Sequence, residues 1–142
     1  MNPLIQFFSE EVSFKLGQEK DIHALILKII ESEGLSPGVI NYILCNDEYL
    51  LELNQKFLDR DTLTDVIAFD YSEIEGEVSG DVFISIERTV YNADAFDQPH
   101  EIEVLRVIVH GTLHLCGYKD HNADEKAIMT DKEDKYLSLL PS

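Results

Sequence analysis

The chain has 142 residues and a formal net charge of −17, from 28 acidic against 11 basic side chains. A length of this order fits one domain with a sizeable core, and a content of 44% hydrophobic and 27% charged residues is ordinary for a globular protein. The acid excess excludes a strongly basic nucleic-acid-binding face, so an RNA substrate would have to be held by a metal, a few local cations or a partner. No stretch approaches the ~20 apolar residues that span a bilayer, and Met1-Asn-Pro-Leu-Ile-Gln-Phe-Phe lacks the basic and long apolar regions of a signal peptide. With only Cys45 and Cys116 there is no disulfide framework, and a cytoplasmic location is expected.

In chain order, residues 20–33 read as an amphipathic helix with Ile22, Leu25, Ile26, Ile29 and Ile30 on one face and Gly34 ending it. His23 on this helix is a structural or exposed residue. After Ser36-Pro37-Gly38, residues 39–45 read as a strand. Asn46 is a good N-cap for a helix over 47–57, with Asp47 and Glu48 in its favourable first turn. Residues 66–71 and 81–86 read as strands joined by an acidic, Gly-containing link, a candidate hairpin. A helix over 87–96 follows. Pro99 then suits the first turn of a helix over 99–116. Ile102, Val104, Leu105, Val107, Ile108, Val109, Leu113 and Leu115 make that helix apolar nearly all round, hence buried. A last helix over 123–139 starts at Asn122 and is expected to bury Ile128, Met129, Tyr136, Leu137 and Leu140. Helices around a small sheet indicate an α+β or mixed α/β fold.

The chemistry concentrates in one segment, His110-Gly-Thr-Leu-His114-Leu-Cys-Gly-Tyr-Lys-Asp-His121. His110 and His114 are four apart, which puts both imidazoles on one helix face within reach of a single metal ion. Gly117 stands where a left-handed residue ends a helix and turns the chain back, and that turn brings His121 round as a third ligand. Three neutral nitrogens without a fourth protein ligand describe an open, catalytic site rather than a closed structural one. Cys116 is a rival ligand on chemistry, but it faces away from the histidine pair and reads better as a small buried hydrophobe. Gly111 stands where zinc proteases of the His-Glu-x-x-His type carry their glutamate, which removes that route to peptide hydrolysis.

This segment resembles the signature of the YbeY family, His-Gly-x-Leu-His-Leu-x-Gly-Tyr-Asp-His. Leu53-Asn54 followed by Thr64-Asp65-Val66-Ile67-Ala68-Phe69 resembles a second family block, and Gly80-Asp81-Val82-Phe83-Ile84-Ser85 a third. The resemblance implies one α+β domain over residues 1–142, zincin-like, with a small mixed four-stranded sheet and five or six helices. It implies a metal-dependent, single-strand-specific endoribonuclease acting in ribosomal RNA maturation at the small-subunit 3′ end and in ribosome quality control. One Zn2+ per chain is then held by His110, His114 and His121, and RNA, the ribosome or ribosomal proteins are the partners. Two departures stand out. Lys119 reads as an insertion that moves the third histidine one residue further from the second, and Leu58 stands where the family has an arginine, with Arg60 the nearest substitute.

The mechanism expected is hydrolysis of a phosphodiester by metal-activated water, with His114 central to the site. Asp120 is a candidate base or orienter of a ligand, or else a cap of the next helix. Arg106, one turn before His110, is a candidate phosphate contact, or else the partner of Glu103 or another acid. Asp65 and Asp81 either approach the site or serve turns. Two other readings stay open: a ribosome-assembly or binding factor with a structural metal, and a metal-dependent hydrolase of another substrate.

Overall fold

The computed structural model describes residues 4–58 and 64–140. Among these, β1 (Leu4–Ser9), α1 (Glu19–Ser32), β2 (Ser36–Cys45), α2 (Asp47–Leu58), β3 (Val66–Asp70), β4 (Glu77–Ser85), α3 (Ile86–Ala95), α4 (His100–Leu115) and α5 (Ala123–Leu137) follow in order. The sheet runs β1-β2-β4-β3. β1 and β4 lie parallel to β2, whereas β3 and β4 form the expected antiparallel hairpin. Parallel neighbours need a crossover, and α1 supplies it between β1 and β2. The fold is α+β with a mixed four-stranded sheet and five helices, as anticipated.

The helices fall within about two residues of their sequence-based limits. Two strands are longer than the pattern indicated. Ser36 and Pro37 pair with Glu77 and Val78 across a register shift between Pro37 and Ile40, so β2 and β4 both start early. β1 was not anticipated at all. It is a six-residue edge strand, and its place is fixed by pairing to β2 and by Phe7 stacking on Tyr42 at 5.2 Å between ring centroids.

α4 is the centre of the molecule. Val104, Val107 and Ile108 pack with Ile22, Ile26 and Ile30 of α1 and with Tyr42, Leu44, Val82 and Ile84 of the sheet. Val109 and Leu113 join Leu25, Ile29, Met129 and Tyr136 in a second cluster. Ile102, near the start of the helix, is the exception at 40% exposure. The helix approaches the sheet closely because of Gly111: a Cβ there would stand 2.5 Å from Val82 Cγ1 and 3.3 Å from Val66 Cγ2. Next to it, Thr112 donates to the Ile108 carbonyl and accepts the buried Tyr42 hydroxyl at 2.6 Å.

α5 corrects one expectation. Its buried stripe is Met129, Glu133 and Tyr136, while Ile128 is 51% exposed, one position off that stripe. Leu137 and Leu140 are only partly buried. A glutamate thus occupies a core-facing position of a helix that otherwise reads as solvated.

Candidate metal centre

α4 ends in a Schellman turn. Gly117, at φ 108°, donates to the His114 carbonyl, and the Tyr118 N–H reaches back to the Leu113 carbonyl, both at 3.0 Å. The turn aims the Tyr118 carbonyl at the helix it has just left, where it accepts His114 Nδ1–H at 3.0 Å. Tyr118 is itself fixed, because its hydroxyl donates to Glu33 just beyond α1, which also accepts the Tyr136 hydroxyl and Lys132. Burial alone would raise the Glu33 pKa, but these three donors outweigh it and lower the value.

One helical turn earlier, His110 Nδ1 stands 2.6 Å from Glu133 Oε2 of α5. Glu133 is buried, and its other oxygen accepts from Arg106 Nη1 at 2.9 Å while Arg106 Nη2 donates to Asp134 at 2.7 Å. The Arg106 guanidinium is therefore taken up by two carboxylates of α5 and does not line the cleft in which a phosphate contact was expected. Glu103 is not its partner in these ion pairs.

An acceptor behind each ring assigns the proton to Nδ1 and leaves Nε2 as a bare lone pair. The two Nε2 atoms face each other at 2.9 Å. Asp120 Oδ2 completes a triangle with them, 3.3 Å from His110 Nε2 and 3.6 Å from His114 Nε2. Two bare lone pairs at that separation repel unless a cation or proton lies between them. Nitrogens sharing one ion at ~2.0–2.1 Å stand roughly 3.3 Å apart at a tetrahedral angle, close to the spacing of these three atoms. The group His110, His114 and Asp120 is thus able to hold a metal ion.

The electrostatics divide the two rings. Burial disfavours charge on His110, but the hydrogen bond and charge of Glu133, with Asp65 and Asp120, raise its pKa above the ordinary imidazole value. Burial and the neighbouring His110 lower that of His114. The Cys116 thiol is pushed up by burial to about 12, which keeps it a packed neutral side chain.

The triangle opens into a cleft of about 610 Å³ lined by Asn54, Leu58, residues 64–68 on the β3 side, and the 117–121 turn. His121 lies at its rim, exposed and outside the close group of donors. Its backbone N–H is committed to Glu125 Oε1 at 3.0 Å, next to the Asn122 cap of α5. Asp65 lines the cleft, with Asn92 Nδ2 on its Oδ2 at 3.2 Å, and burial raises its pKa against the pull of His110. Asp81 is instead held on the sheet by Asn41 at 3.0 Å. Leu58 lines the cleft, and Arg60 lies outside the described residues. The motif segment did not reveal Glu133 or Glu33. The one trace of Glu133 in the sequence is its place in the Met129, Glu133, Tyr136 stripe.

The comparisons agree with this architecture. The family described as endoribonuclease YbeY matches residues 5–141. The endoribonuclease YbeY of Flavobacterium psychrophilum is 49% identical over 133 residues, covering 94% of each chain. That of Cytophaga hutchinsonii is 46% identical over 135 residues, covering 95% of this chain and 94% of its own. The solution structure of TM1509 from Thermotoga maritima superposes with a TM-score of 0.62 at 28% identity, over 95% of this chain and 87% of that one. Sequence, fold and the histidine-bearing helix therefore agree, and this chain belongs to the endoribonuclease YbeY family.

Proposed function

We propose that this protein is a metal-dependent endoribonuclease that cuts single-stranded RNA in the cleft between α4 and β3, and that its biological substrate is ribosomal RNA undergoing maturation. The observation that carries this reading is the pair of imidazoles braced from behind, with both Nε2 atoms turned into an open cleft. Family membership supplies the reaction class. A divalent ion held there, zinc being the first candidate, supplies positive charge to phosphate oxygens and acidifies water.

The residues of the chain do the rest. His110 and His114 hold the ion, with Glu133 and the Tyr118 carbonyl keeping each ring in the tautomer that ligation requires. Arg106 acts on this arrangement by anchoring Glu133. Asp65, on the β3 side, is the carboxylate we favour as proton acceptor, since it lines the same cleft as His110 and His114 and stands outside the close group of metal donors. Among the described residues no helix is long and apolar enough to cross a membrane, and the ribosome in the cytoplasm is the proposed setting.

The test is cleavage of a labelled single-stranded RNA by protein purified without an affinity tag. Activity should disappear on chelation, return with added metal, and be absent from a His114→Ala variant whose circular dichroism is unchanged. Cleavage that survives both treatments would refute the proposal. A His114→Ala chain that cannot fold would instead favour a structural metal and an assembly factor.

A further inference from the structure

We infer that the third protein ligand of the metal is the Asp120 carboxylate and that His121 is not a ligand. The inference rests on the metal site proposed above and goes beyond it. Asp120 Oδ2 is 3.3 Å and 3.6 Å from the two Nε2 atoms, too long for a good hydrogen bond to either ring but suited to sharing one ion with both. His121 is turned out by its neighbours: its N–H is bound by Glu125, the following Asn122 caps α5, and its side chain is exposed at the cleft rim. Asp120 Oδ2 thus belongs to the close group of donors, whereas His121 stands outside it.

Counting along the chain leads to the same place. The signature it resembles has its third histidine six residues after the second, and six residues after His114 stands Asp120. Lys119 is then not an insertion. The third ligand is exchanged in place, imidazole for carboxylate. The exchange replaces three neutral nitrogens with two nitrogens and an anionic oxygen, which lowers the net charge of the loaded centre by one. A harder donor also widens the set of acceptable ions towards manganese.

The experiment uses the full chain stripped of metal and titrated calorimetrically with Zn2+ and Mn2+, as wild type, Asp120→Asn and His121→Ala. Loss of a direct ligand should exceed the roughly 10–100-fold cost of losing a ligand's supporting partner. Asp120→Asn should therefore weaken Zn2+ by about 100-fold or more, with His121→Ala within about threefold of wild type. A second readout needs no variant. Long-range 1H–15N spectra of the labelled chain should show two imidazoles, His110 and His114, shifting at Nε2 on Zn2+ addition while His121 stays put. A metal-shifted His121 ring nitrogen, or affinity lost in His121→Ala and kept in Asp120→Asn, overturns the inference and leaves the nuclease reading intact. A wild-type chain that takes up neither ion overturns both.

Discussion

Replacing Glu133 by glutamine isolates the support behind one imidazole. The carboxylate accepts twice, from His110 Nδ1 at 2.6 Å and from Arg106 Nη1 at 2.9 Å. A glutamine of the same shape has one accepting oxygen and one donating nitrogen, so one of the two donors must face another donor. If the amide nitrogen turns to His110, the ring proton moves to Nε2 and the lone pair needed for the metal is lost. If it turns to Arg106, the ring loses a charged acceptor worth roughly 1.5–3 kcal/mol. Either way the metal should bind about 10–100-fold more weakly, equivalent to about 1.4–2.8 kcal/mol. Folding should suffer less, because Arg106 is a third exposed and keeps Asp134. Competitive titration of the metal-free protein against a chelating dye, with thermal melting in parallel, reads the two effects separately. A metal affinity within twofold of wild type, or a loss seen only once the chain unfolds, would refute the reasoning.

Three other outcomes are expected. Gly111→Ala should lower the melting temperature despite a gain of about 1 kcal/mol in helix propensity, because the new methyl meets Val82 at 2.5 Å and overpacking costs roughly 1–3 kcal/mol; an unchanged melting point would mean that the sheet yields. Burial opposes the charge on Glu33, but Tyr118, Tyr136 and Lys132 hold its folded pKa below the ordinary 4.5. Its stabilisation is therefore complete above that value and is lost as pH falls through the folded pKa, so Glu33→Gln should flatten the acid limb of the stability curve, measured by denaturant unfolding. Leu58→Arg should place a cation at the cleft of a chain carrying net −17. It should steepen the shallow dependence of RNA affinity on log salt by about 0.7 if it neutralises one phosphate, and an unchanged slope would show that Leu58 lies off the RNA path.

The parts of this molecule that were legible in the sequence are those written in local periodicity. The five helices, the β3–β4 hairpin and the His110/His114 pair follow from apolar spacing, caps and a four-residue interval. β1 escaped because six residues at an edge carry little pattern of their own, and their strand state comes from pairing with β2 far along the chain. Arg106 was recognised as lying on the His110 face, yet what meets that face is α5, and sequence does not say which helix packs where. Glu133 and Glu33 were hidden for a related reason. Glu133 sits in a run of charged residues and Glu33 at a polar helix end, both of which read as solvated surface, and they are recruited by tertiary contact from 23 and 85 residues away, respectively. Asp120 was hidden by register: it stands six residues after His114, one before the histidine that the motif singles out, and only the structure shows it beside the two Nε2 atoms.

The brace on His110 also has a meaning for synthesis. α5 leaves the ribosome after α4, and it alone delivers the Glu133 carboxylate. A nascent chain that has produced both histidines but not yet this helix has one ring without its rear anchor and Arg106 without its partners. The candidate metal centre is thus incomplete at that stage, while the chain is still attached to the RNA-rich machine that makes it.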